Sequence, residues 1–451
     1  MRAFLKAAAV SVLALAAALP ASAESLADAL VAAYTSSKIL DQNEALLRAA
    51  DEDVAGSVAG LRPVISFLGQ SRYNDPAVSS VGTMQTTYSL VAQWTLLDFG
   101  RRQLGVQIAK ETVLATREAL RGLEQKILLQ AVDAFVNVRL QSEIVALRQS
   151  NVRLIGEELK AAKDRFDVGE VTRTDVALAE ARLASAQSGL VAAQGDLTTA
   201  RERYKAVTGA YPGKLSALPK LPATPKSLDE ARTLALATHP DILQAQRQVT
   251  VADLGLQAAR AERLPTLKGE ASISRLDQTG TDSKALSLTL TQPLYTGGAI
   301  ASGQRAAFAN KEAAQAALAQ TAITIAESVG NAWSAVDVAQ ASIAAGNQQI
   351  TAAQTAFDGV KEEATLGART TLDVLDAEQE LLNARAQKLT AEAQRYVGVY
   401  NLLASMGLLS VEHLKLGVPV YDPATYYNAV KKAPISVQGK ALDRIMKRSG
   451  N

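Results

Sequence analysis

The sequence contains an internal duplication, which constrains its fold more than any other feature. The motif Gly-x-x-Thr-x-x-Asp-Val occurs at Gly169–Val176 and again at Gly367–Val374, 198 residues later. The same offset aligns Trp94-Thr95-Leu96 with Gln292-Pro293-Leu294. A duplication of this size indicates that each half forms the same structural unit, so function must depend on what two such units build together.

The offset between the two halves changes once along the chain. Upstream, Ser25 aligns with Ser227 and Pro63 with Pro265, at an offset of 202. The change from 202 to 198 falls between Pro63 and Trp94. We therefore predict that the loops in this interval differ in length between the two halves.

The first residues have the form of an export signal. A short basic region precedes the apolar run Ala7–Leu19, which is too short to span a bilayer, and Ala21-Ser22-Ala23 matches a signal-peptidase site. A transmembrane anchor is the alternative interpretation, but nothing later in the chain extends the apolar run. We predict a cleaved signal peptide, residues 1–23, and a mature chain that begins at Glu24 and leaves the cytoplasm.

Composition and motifs exclude several classes of function. Loss of Arg2 and Lys6 with the signal peptide lowers the formal net charge from +2 to 0, so no basic excess indicates nucleic acid. The chain has no cysteine, and its two histidines are far apart in sequence. His239 precedes Pro240 at the end of a helix-like stretch and His413 lies in a polar tail, so we expect both at the surface and predict no metal site. The sequence has no catalytic Ser/His/Asp grouping, and Gly297-Gly298 lacks the lysine and spacing of a nucleotide loop. We therefore predict no enzyme activity, no catalytic residue and no cofactor.

Two long intervals lack proline and are rich in helix formers. They lie between Pro76 and Pro212 and between Pro293 and Pro419. They predict long helices at 100–166 and 299–363, and about 66 helical residues would extend about 100 Å. That length exceeds what an ordinary globular domain uses.

The helices that follow the two motifs carry apolar residues every seventh position. This spacing predicts a coiled-coil seam, with the glycine motif as the turn between two antiparallel helices. An ordinary helical hairpin that buries leucine against its neighbour has the same pattern but not the same length. The positions are Val176, Leu183, Leu190, Leu197 and Tyr204 in the first half, and Leu375, Leu382, Leu389, Tyr396 and Leu403 in the second.

Short segments between the helical blocks alternate with a period of two. In Met84–Leu96 most even positions are apolar and most odd positions carry Gln, Thr or Ser, and in 286–291 three leucines alternate with one serine and two threonines. The pattern predicts two β-hairpins, at 64–96 and 266–295. Strands between lipid and water alternate in this way, as do the edge strands of soluble sandwiches.

The number of strands decides between these two environments. One chain offers four strands of about ten residues, a length that suits a tilted membrane crossing. Four strands cannot close into a barrel and would leave two open edges in lipid, which is costly. Three chains supply twelve strands, enough to close, so the sequence predicts a homotrimer if the strands lie in a membrane.

The predicted organisation is therefore two repeats joined by a linker. A linker with four prolines separates the halves at 211–226, and the tail beyond residue 406 changes composition, so we expect it to wrap the body or to be partly disordered. The predicted bounds are 1–23 for the signal peptide; 24–210 for the first repeat, with its hairpin at 64–96, long helix at 100–166 and returning helix at 172–208; 211–226 for the linker; 227–406 for the second repeat, with its hairpin at 266–295, long helix at 299–363 and returning helix at 370–405; and 407–451 for the tail.

These residues resemble the TolC family of outer-membrane efflux and secretion ducts. The resemblance covers nearly all of the mature chain and is most specific in Arg369–Ala377, in Val168-Gly169 with Thr174-Asp175-Val176, and in Gln292–Tyr295 with Gly297-Gly298. The tail segment Tyr421-Asp422-Pro423 is similar to the branch associated with type I secretion.

The resemblance implies a mainly α fold with a β-barrel portion. Three chains would form a twelve-stranded barrel in the outer membrane, four strands per chain, continuous with a long α-helical periplasmic barrel of antiparallel coiled-coil hairpins. The partners implied are outer-membrane lipid, a periplasmic adaptor protein and an inner-membrane pump of ABC, RND or MFS type in a Gram-negative cell. The chain would be the passive, gated exit of a tripartite efflux pump, of a type I secretion system, or of both. The cargo classes open to such a duct are drugs, small metabolites and unfolded proteins.

The resemblance also implies a gate at the tips of the helical hairpins. Asp373 and Asp376 lie one helical turn apart, so a trimer would set six carboxylates around one constriction, where mutual repulsion raises their pKa values. The alternative is a pair of solvated carboxylates that stabilise a helix N-terminus.

A polar latch is expected to hold that gate closed. Arg369 is the expected donor, with Thr174 and Asp175 of the neighbouring hairpin as acceptors. The sequence departs from the family pattern at Ala364, where an aromatic residue is usual, so we expect one hydrogen bond fewer in the closed state.

The turn residues are the expected docking surface for the adaptor. They are Gly169 and Thr172 in the first turn and Gly367 and Thr370 in the second. Glycine there permits close approach of a partner, although a plain helix C-cap uses glycine equally well. A periplasmic coiled-coil scaffold or adaptor is the alternative function, but it leaves four symmetrically placed strands unexplained.

Overall fold

A computed structural model describes residues 23–78, 82–419 and 421–433 of the 451-residue chain. Apart from Ala23, the predicted signal peptide lies outside the described residues. Within the described part, the chain is mainly helical, with one four-stranded antiparallel sheet. This confirms the predicted fold class of long helices with four strands per chain.

The elements follow the order expected of two repeats. The helices are α1 (Leu26–Ser36), α2 (Lys38–Ala59), α3 (Arg101–Asp167), α4 (Arg173–Thr208), α5 (Leu228–Thr238), α6 (Pro240–Ala261), α7 (Ala299–Thr365), α8 (Thr371–Ser405) and α9 (Pro423–Val430). The strands are β1 (Val64–Val78), β2 (Gly82–Leu97), β3 (Thr266–Leu276) and β4 (Thr281–Thr291). Helices α3 and α7 occupy equivalent places in the two repeats, and each contains 67 residues.

No helix in the described part of the chain combines the length and the apolarity needed to cross a membrane.

The chain forms two compact units, and each unit takes segments from both halves of the sequence. The first contains the described residues up to Ser37 together with Glu124–Ala231 and Val329–Val418. The second contains Lys38–Leu123, Arg232–Ser328 and the residues from Pro419 onward. The division into sequence repeats at 24–210 and 227–406 therefore remains a prediction about the sequence and does not coincide with these units.

The sheet of the second unit has the strand order β1-β2-β3-β4. The two hairpins differ in length, because β1 and β2 have 15 and 16 residues whereas β3 and β4 have 11 each. The change of offset from 202 to 198 therefore reflects longer strands in the first hairpin, whereas the prediction attributed it to the length of the loops. Apolar side chains on one face are exposed in the single chain, among them Phe67, Leu286 and Leu288.

The described part of the tail packs against α2 in the second unit. Val430 and Ala433 form a small core with Ala55. The Tyr426 hydroxyl donates a hydrogen bond of 2.7 Å to Glu52 Oε1. The segment is therefore ordered by specific contacts, while residues 434–451 of the predicted tail lie outside the description.

A buried carboxyl group lies beneath this tail segment. Asp51 of α2 is fully buried, and neither of its carboxyl oxygens has a hydrogen-bond partner among the described residues. Burial raises the pKa of Asp51 to about 6, with Arg117 lowering it and Glu52 raising it further. Tyr421 and Tyr427 pack on the apolar cluster of α2 and α3 in the same region.

The coiled-coil seams of the first unit differ in part from the prediction. In α8 the predicted positions are buried except for Leu389, which is half-buried. In α4 Tyr204 is buried as predicted, whereas the other four predicted positions are only partly buried. The buried residues there are alanines, three residues after those four positions: Ala179, Ala186, Ala193 and Ala200. Both sets belong to one seam, and a small alanine is covered completely where a leucine extends beyond its neighbours.

Candidate gate at the helix-turn-helix tips

The first tip joins α3 to α4 through a glycine in left-handed conformation. Gly169 has a φ of +81°. Its N–H donates to the carbonyl oxygen of Phe166 at 2.9 Å, and the N–H of Glu170 donates to that of Arg165 at 2.9 Å. This pair of bonds is the Schellman motif, which satisfies the last carbonyl groups of a helix.

The second tip, between α7 and α8, repeats the same geometry. Gly367 has a φ of +77°. Its N–H donates to Ala364 O at 3.2 Å, and the N–H of Ala368 donates to Glu363 O at 2.9 Å. Open space surrounds both tip glycines, since a Cβ atom added to either would meet nothing within 4 Å. Backbone conformation therefore favours glycine at these positions, as expected of a helix C-cap, and the space leaves the turns accessible.

Each returning helix begins with a capping box. The Thr172 backbone N–H and hydroxyl donate to Asp175 Oδ2 at 2.9 and 2.7 Å, and the Asp175 N–H donates to Thr172 Oγ1 at 3.3 Å. Thr370 and Asp373 form the same three bonds at 2.9, 2.9 and 3.3 Å. The spacing of glycine, threonine and aspartate that the two repeats share is thus explained by one type of turn: a C-cap followed three residues later by an N-cap.

An exposed apolar residue precedes the glycine at each tip. Val168 is 71% exposed and Leu366 is 84% exposed. The sequence reasoning did not single them out as docking residues. Their equivalent positions in the two repeats, next to the tip glycines, were the available signal.

Asp373 serves the capping box in the single chain. Hydrogen bonds from the Thr370 backbone and hydroxyl lower its pKa, and the nearby charge of Arg369 acts in the same direction. The structure of one chain thus matches the interpretation of a carboxylate that stabilises a helix N-terminus. The raised pKa expected of a six-carboxylate ring depends on three chains and remains a prediction.

Asp376 has a partner that the sequence reasoning missed. Its Oδ1 lies 2.5 Å from Arg182 Nη2, and this ion pair joins α8 to α4. The two side chains are 194 residues apart in sequence. Only the packing of the two returning helices brings them together, so no local pattern indicated the pair.

Two of the three predicted latch residues, Arg369 and Asp175, have local partners within the chain. Arg369 Nε donates to Glu363 Oε2 at 2.9 Å, and Asp175 is held by Thr172, while Thr174 is exposed. Among the described residues, no hydrogen bond joins Arg369 to Thr174 or Asp175. A latch made of these groups would therefore join different subunits, and it remains a prediction.

A buried polar bond lies above the tips, between α3 and α8. Asn151 Nδ2 donates to Glu378 Oε1 at 2.6 Å, and Glu378 is only 4% exposed. Its other oxygen has no hydrogen-bond partner among the described residues. Burial raises the pKa of Glu378 to about 7, the Asn151 bond and Lys361 lower it, and Glu158 raises it.

Two further contacts join the helical hairpin of α3 and α4 to the helical hairpin of α7 and α8. Lys361 Nζ of α7 pairs with Glu158 Oε1 of α3 at 2.8 Å. Arg165 Nη1 donates to the carbonyl oxygen of Ala364 at 3.4 Å. The Ala364 side chain itself is buried in an apolar cluster with Phe357 and Val374. The position that departs from the family pattern thus contributes packing and a backbone acceptor.

The described residues contain no group of three or more His, Cys, Asp or Glu side chains that could hold a metal ion.

The expectation that both histidines lie at the surface was wrong for His239. His413 is exposed, but His239 is buried, and its Nδ1 accepts the Asp241 N–H at 3.2 Å as the N-cap of α6. His239 directly follows Thr238, the last residue of α5, as the helix-like stretch before it indicated, and Pro240 is the first residue of α6.

Comparison with known proteins shows the same architecture elsewhere. The sequence model of the outer membrane efflux protein family matches residues 3–210 and 231–408. The outer membrane efflux protein BepC of Brucella suis biovar 1 (strain 1330) is 37% identical over 415 residues, which cover 90% of this chain and 91% of BepC. The outer membrane protein TolC of Escherichia coli (strain K12) is 25% identical over 354 residues, which cover 74% of this chain and 70% of TolC. A crystal structure of CusC has the same fold, with a TM-score of 0.77 at 18% identity, covering 85% of this chain and 92% of CusC.

The repeated hairpins, the four-stranded sheet and the paired tips define a subunit of an outer-membrane channel. The chain belongs to the outer membrane efflux protein family. The predicted TolC-family membership, the function in efflux or secretion and the location in the outer membrane are confirmed. The family is one of channel proteins rather than of enzymes.

Proposed function

We propose that three copies of this chain form the exit duct of a tripartite efflux pump, of a type I secretion system, or of both. The helical hairpins would form a periplasmic tunnel, and twelve strands would form a barrel in the outer membrane. A periplasmic adaptor would dock at the tips, and an inner-membrane pump would drive transport. The observation that carries the proposal is the pair of matching tips, each with an open glycine turn and an exposed apolar residue.

The tips are suited to docking because their turns satisfy their own backbone groups. The Schellman motif and the capping box leave few free polar groups that would have to be desolvated. Val168 and Leu366 then present apolar surface beside an open turn. Burial of such side chains by a partner would stabilise a complex by about 25 cal/mol per Å² of apolar surface.

Docking can be tested with substitutions at these two residues. We expect Val168→Asp combined with Leu366→Asp to abolish efflux in cells while the protein remains in the outer membrane at normal abundance. Val191→Asp is a matched control, because Val191 is 67% exposed on α4 but lies well away from the turn. Normal efflux in the tip variant would contradict docking at the tips.

Opening of the gate would require the two hairpins of a subunit to separate. Within one chain they are joined by the ion pairs of Arg182 with Asp376 and of Lys361 with Glu158, and by the bond from Asn151 to Glu378. We propose that these bonds act together with an inter-subunit latch from Arg369 to Thr174 or Asp175. Asp373 and Asp376 would line the constriction.

Single-channel recording in lipid bilayers tests both parts of the gate. We expect Arg369→Ser to raise conductance, and Asp373→Ala with Asp376→Ala to weaken block by divalent cations. Arg385→Ser is the control, because Arg385 lies on α8, beyond the turn that contains Arg369, and donates to Gln354 Oε1 at 2.7 Å, away from the tip. Unchanged conductance in Arg369→Ser would remove the latch, and unchanged cation block in the aspartate variant would remove the ring.

The class of cargo can be tested separately from the gate. Deletion of the gene, followed by assays of drug sensitivity and of secreted proteins, distinguishes efflux from protein secretion. Restoration by the unmodified chain is the control. If both phenotypes are unchanged by deletion, the chain does not serve as the exit duct for either cargo class under the conditions tested, and the proposal fails.

A further inference from the structure

The two edges of the sheet can be matched to each other through the internal repeat. In one chain, β1 and β4 are the outer strands of the order β1-β2-β3-β4, and every residue of β4 is exposed. An outer strand presents a row of backbone N–H and C=O groups that need partners in a membrane. The proposed trimer brings β4 of one subunit beside β1 of the next, and the inference below rests on that proposal.

The repeat transfers strand register within the chain. The offsets are 202 from β1 to β3 and 198 from β2 to β4. They convert the observed pair Val64 and Gln93 of the first hairpin into Thr266 and Thr291, which are paired in the second hairpin. The two hairpins therefore share one internal register, and the offsets preserve pairing between strands.

The same conversion can be applied to the junction between the hairpins. There β2 pairs with β3, and Ser89 lies opposite Ser274. The offset of 198 converts Ser89 into Ser287 of β4, and the offset of 202 converts Ser274 into Arg72 of β1. We infer that β4 of one subunit pairs antiparallel with β1 of the partner subunit, with Ser287 opposite Arg72 of the partner subunit.

This register fixes the other pairs along the interface. Thr289 faces Gln70 of the partner subunit, and Leu290 faces Gly69 of the partner subunit. The paired segments extend from Ala285 to Thr291 on β4. The register of β1 is regular with respect to β2 over this part of the strand, from Val64 to Tyr73.

The alternation of side chains supports the inferred register. Within the chain, apolar faces agree across each pair of strands, as where Phe67 lies opposite Leu90. In the inferred interface, Leu286 lies opposite Tyr73 of the partner subunit, so the apolar faces agree again. A shift of the register by one residue would place the apolar side chains of one strand on the opposite face of the sheet from those of its neighbour. Shifts of the register by two residues are therefore the alternatives to be tested.

Engineered cysteines can measure the register, because the chain has no cysteine of its own. Paired residues in antiparallel strands have Cα atoms about 4.5–5.5 Å apart, within the range of a disulfide, whereas diagonal neighbours are about 7–8 Å apart. The matched pairs are Ser287→Cys with Arg72→Cys, and Thr289→Cys with Gln70→Cys. The shifted pairs combine the same four substitutions crosswise: Ser287→Cys with Gln70→Cys, and Thr289→Cys with Arg72→Cys.

The detergent-solubilised full chain is oxidised and analysed on non-reducing gels. We expect both matched pairs to convert monomers into linked dimers and trimers, several-fold more than either shifted pair. Ser89→Cys with Ser274→Cys is the positive control, since Ser89 lies opposite Ser274 within one chain and the disulfide expected there leaves the chain monomeric on the gel. Two matched pairs keep the test decisive if one variant fails to assemble.

The outcomes separate the register from the proposed trimer. Light scattering of the unmodified chain in detergent gives the number of subunits independently. A trimer in which a shifted pair links more efficiently than the matched pairs overturns the register alone. A trimer in which neither matched nor shifted pairs link overturns the pairing of β4 with β1. A monomer overturns the proposed channel itself.

Discussion

Replacement of Glu378 by glutamine is expected to remove a pH-dependent part of the free energy of unfolding. Glu378 is buried between α3 and α8, with one oxygen bound to Asn151 and the other without a partner among the described residues. Burial raises the pKa of Glu378 from 4.5 to about 7. The folded state therefore holds this proton more tightly than the unfolded state does.

The sign of the effect follows from that difference. Stabilisation by the protonated carboxyl is fully present below about pH 4.5 and is lost as the pH rises through about 7. At about 1.4 kcal/mol per pKa unit, the loss amounts to about 3 kcal/mol per chain. Glutamine keeps the shape and the acceptor for Asn151 but does not ionise, so the variant should lack this loss.

Thermal unfolding of the trimer in detergent, measured from pH 5 to pH 8.5, provides the assay. We expect Glu378→Gln to melt close to the unmodified protein at pH 5 and several degrees higher at pH 8. Glu380→Gln is the control, because Glu380 is exposed two residues further along the same helix. If the difference between Glu378→Gln and the unmodified protein is the same at every pH, the carboxyl does not titrate in this window and the reasoning is refuted.

Further predictions concern the tail contact and the tips. Asp51→Asn should raise the melting temperature at pH 8 but not at pH 4. Burial raises the pKa of Asp51 to about 6, so the stabilisation by its protonated carboxyl is lost as the pH rises through that value; parallel pH profiles of the two proteins would contradict this. In denaturant unfolding, Gly367→Ala should lower the free energy of unfolding by about 1 kcal/mol, and Gly367→Asn should lower it by less. The space around Gly367 is open, so only the positive φ disfavours a side chain; equal effects of the two substitutions would count against this. Thr370→Ala should cost about 1 kcal/mol in the same assay, and Thr370→Ser should restore most of it, since the hydroxyl caps α8; failure of serine to restore stability would show that capping is not the cause.

The local structure of this protein could be predicted because local chemistry specifies it. Absence of proline and an excess of helix formers indicated α3 and α7, whose observed ends lie within one or two residues of those predicted. Alternation of leucine with serine and threonine indicated β4. The Gly-x-x-Thr-x-x-Asp motif is a C-cap and an N-cap, and both depend only on neighbouring residues.

The contacts that join the two helical hairpins could not be predicted in this way. Arg182 and Asp376 are 194 residues apart, and Asn151 and Glu378 are 227 apart. Which residues meet depends on the axial register and rotation of long helices, and a shift of one residue turns a helical side chain by about 100°. The sequence offered only a weak sign, a glutamate three residues after Leu375 in an apolar heptad.

The elements, the turns, the duplication and the family of this protein could therefore be inferred without coordinates, because each is a pattern of residue types along the chain. The tertiary structure alone decided which charged groups pair across the hairpins, why Arg369 binds Glu363 within one chain, and where a carboxyl is buried deeply enough to shift its pKa. Those properties depend on distance and dielectric surroundings, and both are set only when segments remote in sequence pack together.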